Sequence, residues 1–190
     1  MSVAAVGEVS GLSNGAIYWR FETMDALVQA VHQRIVERLV REHELYDDPA
    51  RWDGLAVGEL VTAMVRVEAD IFRRYAAPLR VLALASASDE RLAERGAEAV
   101  RRAERRWVSH LVPRLTEAGC AQTDVLAASV FRVVYGAFAT RVIWPEHQAE
   151  PQIPWDAFVA AVAEMIRLYV EDAISRGPAE ATARSHRKAR

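Results

Sequence analysis

The chain has 190 residues, of which 52% are hydrophobic, and this is enough to build one or two small domains around real cores. Its first residues, MSVAAVGEVSG, lack the basic start and apolar centre of a signal peptide, and no apolar run is expected to be long enough to span a bilayer. The single cysteine, Cys120, excludes an internal disulfide, so a cytoplasmic protein without a membrane partner is predicted.

Helical periodicity begins at the N-terminus, and no strand-like alternation interrupts it. Ser2 to Ser10 is predicted as a short helix that Gly11 ends. Ser13 is expected to cap a second short helix, which ends near Trp19. Thr23 to Tyr46 is predicted as a cap followed by a long third helix, and an Asp-Asp-Pro sequence then breaks the pattern.

A second group of helices is predicted after this break. The predicted ranges are Gly54 to Tyr75, Pro78 to Ala85, Asp89 to Ala118, Thr123 to Trp144 and Pro154 to Ser175. The last two of these helices are apolar on more than one side, which indicates burial on several faces. The sequence therefore predicts an all-α chain with a small unit and connecting helix over 1–46, a larger bundle over 47–176, and a disordered basic tail over 177–190.

A turn that begins with glycine joins the first two predicted helices within residues 11–21, GLSNGAIYWRF. This is a helix-turn-helix pattern, whose second helix can enter the major groove of DNA. Ile17 and Phe21 are expected to point inward. The candidate DNA-contact residues are Ser13, Asn14, Gly15, Ala16, Tyr18, Trp19 and Arg20. Of these, Asn14 can hydrogen-bond adenine, Ala16 can contact a thymine methyl group, and Tyr18 can hydrogen-bond a phosphate.

The aromatic residues in this run also have a structural interpretation. On spacing alone, Tyr18, Trp19 and Phe21 are core residues, because short helix-turn-helix patterns are common in proteins that never contact DNA. The whole string is more specific, and from Val3 to Leu27 it resembles the DNA-binding unit of the TetR family of transcriptional regulators. The matching positions are Gly11, Leu12, Ser13, Gly15, Ile17, Tyr18, Phe21 and Leu27, together with Trp19.

The resemblance implies a ligand-responsive repressor without enzymatic activity. Two copies would form a homodimer through the last two helices and bind a palindromic DNA operator, and a small-molecule effector would bind the larger bundle. The dimer is favoured over a monomeric bundle with an enclosed central helix, because a palindrome is read by two copies.

Two departures from the family pattern concern the strength of DNA binding. Met24 stands where the family usually has a phosphate-binding lysine, and the family's first helix of about twenty residues is missing. Acidic residues also outnumber arginines over residues 1–46. Either the start of the protein lies upstream or the chain is a truncated form. The alternative function is therefore a dimeric small-molecule-binding module whose DNA binding is lost or weakened.

The larger bundle is predicted to enclose a pocket for a small, largely apolar ligand. Its candidate lining residues are Met64, Glu68, Phe72, Trp107, His110, Phe131, Tyr135 and Phe138, and the alternative for each is a place in the core. Glu68 is expected to pair with Arg132, to meet a polar ligand group, or to be solvated. The scattered histidines show no metal-ligand spacing, and no phosphate-binding loop or nucleophile elbow is present. No catalytic residue, metal or cofactor is therefore predicted.

Overall fold

A computed structural model describes residues 2–144 and 153–188, with side chains as far as Gly177. Within this part of the chain all regular structure is helical, which confirms the predicted all-α class. The helices are α1 (Val3–Ser10), α2 (Asn14–Arg20), α3 (Met24–Glu44), α4 (Val57–Arg74), α5 (Ala76–Ser86), α6 (Glu90–Glu117), α7 (Thr123–Ile143) and α8 (Trp155–Lys188), and a short 3₁₀ turn (Pro49–Trp52) lies between α3 and α4.

The first three helices begin at the hydroxyl residues that the sequence predicts as caps. The side chains of Ser2, Ser13 and Thr23 each accept a hydrogen bond from a backbone N–H three residues later, at 3.3, 3.1 and 3.0 Å. Such bonds satisfy N–H groups that have no partner inside the helix. Gly11 ends α1 with a φ of 71°, a left-handed conformation that glycine adopts at little cost.

Helices α1, α2 and the start of α3 share a small core of their own. Val3, Ile17 and Leu27 are buried at its centre, and Val6, Phe21 and Met24 pack at its edge. None of these residues belongs to the larger core that α4 to α8 form. The first two helices, too short to be stable alone, are therefore held by only a few apolar contacts.

Gly7 allows the closest approach within this unit. A Cβ atom placed on Gly7 would lie 2.7 Å from the backbone oxygen of Leu12. We therefore expect Gly7→Ala to destabilise the packing of α1 on the turn by about 1–3 kcal/mol. Hydrogen exchange of the α1 and α2 amides measures this effect. Gly15→Ala is the matched control, because a Cβ there meets only the Ser13 hydroxyl at 3.9 Å. Equal exchange in the two variants would contradict the expectation.

The larger core lies between α4, α6, α7 and α8, and aromatic rings fill its centre. Phe138 of α7 is fully buried, and its ring centroid lies 5.8 Å from that of Trp155 and 6.0 Å from those of Phe72 and Phe158. Phe131, two turns earlier on α7, contacts Trp107 at 5.8 Å. These rings join α7 to α4, α6 and α8, so α7 is the central helix of the bundle.

Helix α7 differs from the sequence-based expectation in one respect. It is long and apolar enough to cross a membrane by length and composition, so the expectation that no such segment exists is wrong. The helix has a different role in this fold, because its buried residues face the other helices of the bundle. Core helices of soluble proteins have the same composition, and the structure is compatible with a soluble protein.

The C-terminal region also differs from the pattern in the sequence. The backbone of α8 continues as a helix past Gly177 to Lys188, over most of the segment for which composition predicts disorder. The segment 145–153, which separates the last two predicted helices, lies almost entirely outside the described residues.

Candidate functional site

All the candidate DNA-contact residues are exposed, on α2 and at its cap residue Ser13. Trp19 and Tyr18 are 88% and 52% exposed, whereas Ile17, which directly precedes them, is only 4% exposed. The other exposed residues of the predicted set are Ser13, Asn14, Gly15, Ala16 and Arg20. The interpretation of these aromatics as core residues is therefore wrong for Tyr18 and Trp19. It is right for Phe21, which packs at the edge of the small core.

A cleft of about 300 Å³ lies beneath the second half of α3, between that helix and the bundle. Most of its walls are aliphatic side chains and alanines, and a few polar groups reach it. The main apolar lining residues are Val36, Leu39, Val40, Ile71, Phe72, Leu79, Leu82, Val100, Ala103 and Ile143, and the polar ones are His43, Glu68, Ser86, Arg106 and Tyr135.

Three of the eight predicted lining residues reach this cleft, namely Glu68, Phe72 and Tyr135. Three more of the predicted residues, Met64, Trp107 and His110, line a smaller adjoining cavity of about 30 Å³. The two cavities share His43, Glu68 and Arg106, so they meet at these polar side chains.

The prediction that Phe131 and Phe138 line the pocket is wrong. Both rings are completely enclosed by the bundle core and reach neither cavity. The rings of α6 and α8 fill the space beside them, as Trp107 does for Phe131 and Trp155 does for Phe138. These two residues therefore stabilise the fold and do not form a wall for a ligand.

Helix α3 contributes a wall that the sequence analysis missed. Val36, Leu39 and Val40 line the cleft from this helix, and His43 follows one turn after Leu39 on the same face. The signal in the sequence is the apolar spacing of these residues. This spacing predicts only a connecting helix, because periodicity alone does not distinguish packing on a core from lining a cleft.

Glu68 is the most deeply buried charged side chain at the cleft, with only 2% of its surface exposed. Its Oε2 lies 3.3 Å from Nε2 of His43. The predicted pairing with Arg132 is wrong, since Arg132 lies instead 2.8 Å from the carboxylate of Glu104. Glu68 is not solvated either, so its negative charge faces His43 inside the protein.

His43 forms hydrogen bonds through both ring nitrogens. Its Nδ1 lies 2.8 Å from the carbonyl oxygen of Leu39, which can only accept, and its Nε2 faces the carboxylate of Glu68. Two donated bonds require a proton on each nitrogen. Burial lowers the pKa of His43, but the hydrogen bond and charge of Glu68 and the bond to Leu39 outweigh burial, so the pKa is raised above 6.5.

Polar contacts fasten α3 to the bundle on both sides of the cleft. Near its start, Nε2 of Gln29 donates to Asp89 at 2.7 Å. Further along, Glu42 accepts from the Tyr75 hydroxyl at 2.6 Å and from Arg74 at 2.8 Å. Helix α3 therefore runs from the small core beside α2 to the cleft, and at the cleft it is held mainly by directional bonds.

The comparisons add no assignment to this geometry. No family model matches the chain, and no curated protein matches it. Among the described residues, no group of three or more histidine, cysteine, aspartate or glutamate side chains is placed to hold a metal ion. The two features that carry an argument about function are the exposed face of α2 and the cleft beneath α3.

Proposed function

We propose that this protein is a cytoplasmic, ligand-responsive DNA-binding regulator of transcription that acts as a homodimeric repressor. One observation carries the proposal: a single helix, α3, connects the exposed face of α2 with an apolar cleft that has buried polar groups. The resemblance of residues 3–27 to the DNA-binding unit of TetR-family regulators supports the same function.

Helix α2 would be the recognition helix. Its outer face carries Asn14, Ala16 and Tyr18, which suit an adenine edge, a thymine methyl group and a phosphate. The packing of Ile17 against Val3 and Leu27 fixes which side of the helix faces outward. An exposed helix of this kind fits the major groove, which admits one α-helix.

Helices α7 and α8 support a homodimer. Five large apolar side chains on them are between 48% and 63% exposed, which is unusual for a free surface. They are Val125, Val133, Met165, Leu168 and Tyr169. Val125 of α7 and Tyr169 of α8 line the same surface depression, so exposed apolar side chains of the two helices lie close together there. A second copy packed on it would make a four-helix interface.

Regulation would act through α3. A ligand in the cleft would contact Val36, Leu39 and Val40 on this helix, and the start of the same helix packs on α2 through Leu27. A shift of α3 would change the separation of the two recognition helices in a dimer. Coupling between such sites is typically about 1–3 kcal/mol, or about 5–150-fold in affinity.

A second candidate function is a dimeric small-molecule-binding module with lost or weakened DNA binding. The observation that favours it is charge, because Arg20 is the only basic residue before α3 and Met24 carries no charge. Phosphate contacts by basic side chains supply most non-specific affinity for DNA. Selection of bound sequences from random duplex DNA separates the two candidates, since only the regulator enriches a palindrome.

The roles of two α2 residues give the proposal a sharper test. We expect Asn14→Ala to relax the preference at one base position, at a cost of roughly 1–3 kcal/mol. Tyr18→Phe should weaken binding to all sequences alike, because it removes a bond to a phosphate. Tyr46→Phe is the matched control, as it removes a tyrosine hydroxyl far along the chain from α2. The selected palindrome is measured with each variant, and an unchanged sequence preference and affinity in both α2 variants would contradict the assignment.

A further inference from the structure

The polar end of the cleft contains hydrogen-bonding groups that the protein leaves unused. Oε2 of Glu68 accepts from His43, but no donor among the described residues reaches Oε1 of this carboxylate. The Tyr135 hydroxyl, which lines the same cleft, also has no hydrogen-bond partner in the described part of the chain. Neither oxygen is among the fully buried, unpartnered polar atoms of the described residues, so both are open to the cleft, where a ligand can supply the donor.

The charges around this end of the cleft are mainly negative. Arg106 is already paired, with Nε 3.0 Å from Asp47 and a terminal nitrogen 3.3 Å from Glu44. These two carboxylates and Glu68 face one arginine and one histidine. The local charge is therefore negative even when His43 is protonated. Asp47 and Glu44 are about half exposed, so water screens their charge, and the buried carboxylate of Glu68 is the group that favours a cation over an anion.

We propose that the cleft binds an apolar molecule that carries one protonated amine. The ammonium group donates to Oε1 of Glu68 and to the phenol oxygen of Tyr135, and the apolar body lies between α3 and the aliphatic side chains of α5 and α6. This inference deepens the proposed function, on which it rests, by naming the chemical class of the effector.

The amine competes with the proton on His43. The groups that face His43 are Glu68 from α4, Arg106 and His110 from α6, Tyr135 from α7, and Asp47 after α3. Of these groups, Glu68 attracts the imidazolium of His43 most strongly. An ammonium group bound at the same carboxylate therefore disfavours the protonated form of His43. Binding therefore releases the Nε2 proton of His43 to the solvent, and the hydrogen bond that joins α3 to α4 is lost.

The same competition predicts how binding depends on pH. Below its raised pKa His43 is protonated, so its charge offsets that of Glu68 and lowers the affinity of the cleft for the amine. Above this pKa the imidazole is neutral, and Glu68 is free to attract the ammonium. Amine affinity should therefore rise with pH through the histidine range, whereas binding of a neutral ligand of the same shape should not change.

Calorimetric titration of the full chain tests the proposal with three probes of similar size. They are 4-phenylbutylamine, 4-phenylbutan-1-ol and 5-phenylpentanoate, each titrated between about pH 5.5 and about pH 8.5. We expect the amine to bind most tightly, with an affinity that rises with pH. Glu68→Gln should lower the affinity for the amine by about tenfold to a hundredfold and leave the affinity for the alcohol nearly unchanged. His43→Gln should remove the pH dependence.

Absence of amine binding, equal affinity for amine and alcohol, or tighter binding of the carboxylate would each overturn the inference. The pH dependence of the unmodified protein provides a test that requires no variant, so a Glu68→Gln chain that fails to fold leaves the proposal testable. A separate measurement of DNA release distinguishes the two proposals. An amine that binds as expected without changing DNA affinity contradicts the regulatory function and supports the site.

Discussion

Replacing Leu168 by glutamate is expected to convert the protein from a dimer to a monomer. Leu168 lies on the exposed apolar surface of α7 and α8, and a dimer would bury it against the partner. A carboxylate at such a position is either buried without a partner or kept in water, and both outcomes oppose association. Light scattering after size-exclusion chromatography measures the change in mass.

The loss of the dimer should also weaken DNA binding strongly. A dimer binds its second half-site at a high effective concentration, so a monomer should bind a palindrome about 10²–10⁴-fold more weakly. Leu84→Glu is the matched control, because Leu84 is also an exposed leucine but lies on α5, outside this surface. The control should remain dimeric. A dimeric Leu168→Glu variant, or a monomeric unmodified protein, would refute this interface.

Truncation of Phe138 to alanine is expected to have the largest effect on stability. The ring is fully buried and contacts aromatic rings on α4 and α8, so its removal leaves a cavity between three helices. Changes of this kind typically lower the free energy of unfolding by about 3–5 kcal/mol. Urea unfolding followed by circular dichroism, at one protein concentration, measures the loss.

A second phenylalanine provides the comparison. Phe158 is only half-buried at the edge of the same cluster, so Phe158→Ala should cost clearly less than Phe138→Ala. If Phe138 formed a ligand wall instead, its truncation would change ligand affinity and leave stability nearly intact. That result would restore the role that the sequence predicts for Phe138.

The sequence predicts the helices well because their signals are local. Ser13 and Thr23 act as caps through bonds to residues three positions away, and Gly11 ends α1 by its own conformation. The exposure of Tyr18 and Trp19 is different, because spacing alone favours the core for both, and the packing of Ile17 on Val3 and Leu27 leaves them exposed. Caps and stops, by contrast, are local signals. Such features depend on a few neighbouring residues and little else.

The cleft could be predicted only in part, because it depends on how distant helices meet. Phe131, Tyr135 and Phe138 share one region of α7, yet only Tyr135 reaches the cleft. Rings from α6 and α8 enclose the other two, and periodicity on α7 contains no information about those rings. The bond between His43 and Glu68 joins residues 25 positions apart on two helices, so no local pattern indicates it.

Because the small core of α1 to α3 is separate from the core of the bundle, α1 and α2 can open while the bundle stays folded. Opening of α1 and α2 disrupts the small core of Val3, Ile17 and Leu27, and the rings of the bundle remain packed. Such a unit opens at a lower free energy than the whole protein, so some molecules have an open α2 at any time. Apparent affinity falls in proportion to the closed fraction. A substitution that tightens this small core would therefore raise apparent affinity for a partner of α2 without changing any contact residue.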